Sequence, residues 1–272
     1  MIELFEQDVK TFDRQSSKGN QLKWKSQGYW YKADYTGYEG LAEYVVSALL
    51  SKTSLRDTEF VTYFPEQIKY KTQIYNGAKS KDFLDGKWQI ITLERLFQNH
   101  FNQSLTRALW KISSVEDRFQ FLATQVQRIT GLPDFGIYLN KLFTIDAFFL
   151  NEDRHMHNIA VLMNEDGEFQ FCPFFDHGAS LLADTTMDYP MGVDIVTAIS
   201  GVKAKSIGTS FDEQLDASEK ICGHNISFSF TKKDVSQVLD SAGIYSPETC
   251  RRVEDILFLQ MRKYGYLFRA TL

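Results

Sequence analysis

The chain predicts an α+β protein of two lobes, a β-rich amino-terminal lobe over residues 1–94 and a mostly helical carboxy-terminal lobe over residues 95–272. Three observations point there. Aromatic and lysine-rich runs of β character surround one amphipathic helix before residue 94, helical periodicity dominates afterwards, and two short apolar strands interrupt the helices between residues 159 and 176.

Taken in order, LKWKSQ and GYWYKADY lie either side of Gly28 and predict a hairpin. EGLAEYVVSALL, with Leu41, Val45 and Leu49 at helical spacing, predicts an amphipathic helix ending at Leu50. FVTYFPEQIKY predicts a strand that ends near Pro65, and NGAKSKDFLDGK a polar connector with turns at Asn76-Gly77 and Asp85-Gly86. WQIITLERLF reads as an apolar strand running straight into a helix, which places the lobe junction at residues 94–97. Helices follow in SLTRALWKI, in VEDRFQFLATQVQRIT stopped by Gly131 and Pro133, and in DFGIYLNKLFTIDAFFLN, which is apolar enough to be a central buried helix. IAVLMNEDGEFQFCPFFD then predicts two buried strands joined by a turn at 164–167, the second ending at Asp176. A polar stretch with helical pieces follows Ser180, and helices around KKDVSQVLDSAG and PETCRRVEDILFLQMRKYGYLF close the chain.

Composition narrows the function classes. At 272 residues the chain can bury a large core without disulfides or structural metal. A net charge of −5 argues against a protein whose main work is neutralising nucleic-acid phosphates. Cys172, Cys222 and Cys250 are odd in number and lack zinc spacing, so they read as reduced thiols of a cytoplasmic protein. The amino terminus is too acidic for a signal peptide, and no run of about 18 apolar residues occurs to span a bilayer. Neither a nucleic acid nor a membrane is therefore expected as a direct partner.

Three of the five histidines, with two aspartates and an asparagine, crowd into DRHMHN and FFDHG. Asp153 and Asn158 lie five residues apart in a loop leaving a buried helix, where a carboxylate can orient or deprotonate a hydroxyl while an amide oxygen reaches a metal. Antiparallel pairing of the two strands is expected to return Asp176 to the region of Asn158. One carboxylate, one amide oxygen and open water positions suit Mg²⁺ shared with substrate phosphates, and Asp-x₄-Asn followed by a strand-end Asp is the arrangement protein kinases use for base and metal. The same residue types are also ordinary turn formers.

Lys32, flanked by Tyr31 and Ala33 on an interior-looking strand, needs a partner, and Glu39 and Glu43 on the following helix are both in range. So held, it can aim at phosphates; otherwise it is an edge-strand lysine. SSKGNQLK offers small polar residues, one Gly and a Lys, a sparse version of a phosphate-cradling loop. Backbone groups of Glu94, Arg95 and Leu96 can pair with an adenine edge or simply connect the lobes. Ser206, Thr209 and Ser210 sit where an added phosphate could order a loop through nearby lysines.

In their order along residues 16 to 182, YWYKAD before YEGLAEY, IITLERLF, and NEDRHMHN before FFDHGASLL resemble the HipA-like kinases, a family of bacterial serine/threonine kinases, and within it the short stand-alone CtkA-type kinases. The resemblance implies a two-lobed protein-kinase-like fold and ATP- and Mg²⁺-dependent phosphoryl transfer to Ser or Thr of a protein substrate, with autophosphorylation. Asp153 would be the catalytic base, Asn158 and Asp176 the metal ligands, and Lys32 the phosphate-pairing lysine with Glu39 or Glu43 beside it. Ser16, Ser17, Lys18, Gly19 and Asn20 would form the phosphate loop, and Glu94, Arg95 and Leu96 the adenine hinge. His155 would support the catalytic aspartate, and His157 would lie near the phosphates. An antitoxin-like partner belongs to the same family picture. The phosphate loop lacks the proline of HipA toxins, and the chain is much shorter than those toxins, which bears on substrate choice and regulation.

Two other readings remain open at this point. A pseudokinase or nucleotide-binding module would keep the fold without turnover. A metal-dependent hydrolase would use His155 and His157, since His-x-His on a strand puts both rings on one face, although His100 and His224 sit in no matching context.

Overall fold

The computed structural model describes residues 1–10, 21–84 and 86–268. By compactness the chain falls into two units, one comprising residues 1–83, 175–201 and 227–272, the other residues 84–174 and 202–226.

The first unit is built on a five-stranded sheet in the order β1-β4-β5-β3-β2, where β1 is Ile2–Leu4, β2 Lys23–Ser26, β3 Tyr29–Ala33, β4 Tyr63–Tyr70 and β5 Gln73–Lys81. β2 and β3 form the expected hairpin. Gln27 and Gly28 both take positive φ, 50° and 78°, the geometry that matches a two-residue turn to strand twist. Trp24, Tyr31, Ala33, Leu4, Ile68 and Tyr70 bury one face. Helix α1, Glu39–Leu50, buries Leu41, Val45, Val46, Leu49 and Leu50 and packs on β4 and β5.

Two expectations for this region are corrected. β4 does not end at Pro65 but runs through it to Tyr70. β1 pairs only with residues 68–70, so at Pro65 the strand has a partner on the β5 side alone and no ladder bond is lost. Asn76-Gly77 is not a turn either, since both residues lie within β5 and the reversal occurs at Lys71 and Thr72, with φ 56° at Lys71. Gly77 is required there by close approach. A Cβ on it would lie 2.1 Å from the Lys32 carbonyl oxygen, and a Cβ on Gly40 would lie 2.4 Å from the Gly77 carbonyl carbon. Asp85 of the other expected turn lies outside the described residues. Helix α6 (Ile195–Gly201) and the pair α8 (Lys232–Asp240) and α9 (Pro247–Lys263) complete the unit, with α8 against α1.

The second unit joins a small antiparallel sheet, β6 (Trp88–Thr92), β7 (Ala160–Asn164) and β8 (Phe169–Phe171), to helices α2 (Leu93–Phe101), α3 (Leu105–Leu109), α4 (Val115–Thr130), α5 (Phe135–Phe149) and α7 (Phe211–Cys222). Ser114 caps α4 and Gly131 ends it with φ 70°. α5 is the central buried helix that its sequence predicts, packed by α4 and α7. β8 departs from expectation. It stops at Phe171 instead of running to Asp176, and Gln170 and Phe171 are exposed. Pro173 has no N–H to continue the ladder, so the chain leaves the sheet there.

Candidate active site

The first unit assembles a compact charged group. The Lys32 ammonium, on β3, lies 2.5 Å from Glu43 Oε1 on α1 and 2.6 Å from Asp176 Oδ1. Glu43 is 1% exposed, and its second oxygen accepts the backbone N–H of His177 at 2.8 Å. Burial works against the Lys32 charge, but the Asp176 and Glu43 carboxylates outweigh it and hold the ammonium well above its ordinary pKa. Burial also pushes the Glu43 carboxyl up, partly offset by Lys32. Of the two glutamates in range of Lys32, the pair therefore forms with Glu43. Glu39 instead accepts the backbone N–H groups of Tyr35, Thr36 and Gly37, and so caps the turn into α1.

Asp176 sits beyond the strand rather than at its end, with φ 62°, a left-handed conformation that aspartate tolerates better than most residues. Its N–H points to the hydroxyl of Tyr63 at 3.3 Å, and the Tyr63 ring lies under the Lys32 ammonium, 5.4 Å from nitrogen to centroid.

Near the α1 N-terminus, Asp34 Oδ1 accepts the Gly40 N–H at 2.6 Å, and the Tyr245 hydroxyl, which donates to the Gly77 carbonyl at 3.5 Å, acts on this carboxylate as well. Burial raises the Asp34 pKa to about 7, with Glu39 adding to the rise and the two hydrogen bonds opposing it.

The second unit fixes the DRHMHN loop. Asn158 Nδ2 donates to the Asp153 carbonyl at 2.8 Å and to its carboxylate Oδ2 at 3.2 Å. His155 Nε2 lies 3.8 Å from Asp153 Oδ1, and the His155 ring accepts the His157 N–H. The residue that anchors this loop is Arg154, which sequence reasoning did not single out. Its guanidinium, 2% exposed, pairs with Asp146 of α5 at 3.0 Å and donates to the Asn158 carbonyl at 3.0 Å. Burial raises the Asp146 carboxyl, and Arg154 opposes that rise. A charge inside the apolar run LFTIDAFFL was the available signal.

Glu94, Arg95 and Leu96 form the first turn of α2. The Glu94 N–H donates to the Met156 carbonyl, the Arg95 N–H to Thr92 Oγ1, and the Glu94 carboxylate accepts from Thr106 at 2.7 and 2.9 Å. Burial works against the Glu94 charge, but bonds from Ser104 and Thr106, with His157 nearby, bring its pKa below the ordinary value. Ser206 is corrected as a modification site, because it is 3% exposed and its hydroxyl is spent on the Arg154 carbonyl. Ser210 caps α7. Ser16, Ser17, Lys18, Gly19 and Asn20 lie outside the described residues.

The donor chemistry fits a magnesium ion. The Asn158 amide nitrogen is turned to Asp153, and the amide oxygen of Asn158 in one unit and the carboxylate of Asp176 in the other are each of the hard oxygen type that magnesium takes. Among the described residues, no group of three or more His, Cys, Asp and Glu side chains forms a metal cluster of the kind a His155/His157 hydrolase needs. No helix among them is long and apolar enough to cross a membrane.

By sequence the chain matches no family model and no curated protein. Among solved structures it is similar to the Helicobacter pylori proinflammatory kinase CtkA, with 16% identity, a TM-score of 0.59, and coverage of 96% of this chain and 94% of that one. A HipA structure from the Shewanella oneidensis MR-1 toxin–antitoxin system, in complex with HipB and operator DNA, matches at 11% identity and a TM-score of 0.41, over 88% of this chain and 59% of that one. The expected α+β architecture is thus found, and the chain carries the kinase-like fold of the CtkA structure.

Proposed function

We propose that the chain is an ATP- and Mg²⁺-dependent protein serine/threonine kinase of the HipA-like type that also phosphorylates itself, with residues 1–94 as its ATP-binding part and residues 95–272 as its catalytic part. The observation that supports this most is Lys32, buried between Glu43 and Asp176 at 2.5 and 2.6 Å. A lysine shared by two carboxylates, one of them 29% exposed, can exchange the outer partner for a phosphate while the inner one keeps it in place.

In this reading Lys32 would pair with the nucleotide phosphates in place of Asp176, and Asp176 and Asn158 would be the residues that hold the metal. The bound metal would neutralise charge developing on the transferred phosphoryl group. Asp153 orients the acceptor hydroxyl and takes its proton as the new P–O bond forms and the bond to the ADP oxygen breaks. Arg154 holds the loop so that Asp153 does not have to be ordered by substrate. Glu94, Arg95 and Leu96 remain the proposed adenine contact. With the Glu94 and Arg95 amides already bonded, side-chain and apolar contacts carry more of that task than amide donors do. Ser16 and Ser17 are the proposed self-modified positions, and an antitoxin-like protein is a proposed partner.

The test is transfer of radiolabel from ATP to the protein itself and to a generic acceptor protein. Asp176→Asn is expected to lower the rate on the order of a hundredfold or more, and Asp153→Asn to leave a larger residue because the attack is still positioned. Wild-type incorporation in both folded variants would overturn the assignment.

A further inference from the structure

Tyr63 touches every element of the charged group and has no role in the reading above. It enters from β4, its ring supports the Lys32 ammonium at 5.4 Å, its hydroxyl receives the Asp176 N–H at 3.3 Å, and its own N–H donates to Ser47 Oγ of α1 at 3.0 Å. It is 4% exposed and packed by Val61, Ala78, Phe83 and Phe175, so its ring cannot easily move.

We propose that Tyr63 is a positioning residue with two separable halves, the ring setting where Lys32 meets the nucleotide phosphates and the hydroxyl holding Asp176 in the left-handed conformation its role requires. The ring face offers the ammonium an uncharged third partner that stays in place when Asp176 leaves. The hydroxyl anchors a backbone N–H at φ 62°, where a non-glycine residue is strained without such an anchor. Burial, with Glu43 nearby, keeps the phenol protonated far above neutral pH, so it acts as a neutral hydrogen-bonding group throughout the working range.

This inference rests on the kinase reading for its kinetic arm and stands apart from it in a chemical one. Tyr63→Phe keeps the ring and loses the hydroxyl, so kcat is expected to fall about three- to tenfold with KM for ATP nearly unchanged, as for a lost contact realised in the transition state. Tyr63→Leu removes both, and KM for ATP is expected to rise as well. The second arm follows acylation of Lys32 by an amine-reactive ester, mapped by mass spectrometry without nucleotide, where Tyr63→Leu is expected to react faster than wild type and Tyr63→Phe like it. Melting curves of all three proteins accompany both arms. If wild type transfers no phosphate, the kinase reading fails and the acylation order alone decides this one. Equal acylation in all three proteins, or parallel loss of kcat and KM effects in proportion to melting temperature, overturns it.

Discussion

Each unit contains a buried ion cluster made of similar charges, and the two are closed to different degrees. Arg154 and Asp146 are both 2% exposed, and the guanidinium is further satisfied by the Asn158 carbonyl. The side chains of Lys32 and Glu43 are 14% and 2% exposed, but that of Asp176 reaches 29%. The closed cluster holds a loop at fixed geometry and has no reason to change partners. The open one keeps its inner carboxylate buried and presents the outer one where solvent, or a ligand, can compete for it. On the proposed function, burial of charge marks scaffold in one unit and an active site in the other, and the quantity that separates them is the exposure of the outermost partner.

That contrast can be broken most directly through stability. Arg154→Met leaves Asp146 charged and unpaired in the core, and is expected to cost about 3–5 kcal/mol in denaturant unfolding. Lys32→Met should cost less, because Glu43 keeps the His177 N–H and Asp176 turns to water. Equal losses would mean that exposure of the outer partner does not separate the two clusters.

Asp34 extends the comparison to a partly buried carboxylate held by the Gly40 N–H rather than by a cation. With its pKa raised to about 7, the folded state keeps a proton that the unfolded chain has already lost, so stability falls as pH rises from about 4 through 7. Between pH 6 and 8 this amounts to about 1.4 kcal/mol, one tenfold step in proton affinity. Asp34→Asn is expected to lack that part of the slope in urea melts. An unchanged slope would show that the carboxylate is already ionised at pH 6.

The smallest expected effect sharpens the assignment of α1. Glu39→Gln weakens only a cap, costing about 1 kcal/mol and leaving transfer activity near wild type, whereas Glu43→Gln is expected to lose most of it. Equal activities in a transfer assay would place the functional pair elsewhere.

Much of this was legible in the sequence, for identifiable reasons. The hairpin at Gly28, α1, α4 with its stop at Gly131, and α5 all follow from local signals, because periodicity and capping act within a few residues. Lys32 as an interior lysine in need of a glutamate, and Asp153 and Asn158 as neighbours in one loop, were equally readable, but the bonds from the Asn158 amide to Asp153 were not. What the sequence hid depends on contacts between distant segments. Asn76-Gly77 has the composition of a turn, yet Gly77 is there because Gly40 and the Lys32 backbone approach it. Glu39 and Glu43 differ by one helical turn, and only the placement of α1 on the sheet separates them. Tyr63 and Arg154 gain their roles from Asp176 and Asp146, 113 and 8 residues away, and nothing in VTYF or DRH announces either partner.

The junction of Gly40 with Gly77 also has a mechanical meaning. With backbone against backbone, the start of α1 is a pivot, and Glu43 lies only three residues along, about 4.5 Å from it. A tilt of about 10° would carry its backbone less than about 1 Å at that helical rise. Such a short lever cannot disengage Glu43 from Lys32 by swinging the helix, so control of this charged group has to come through its more exposed member, Asp176, rather than through α1.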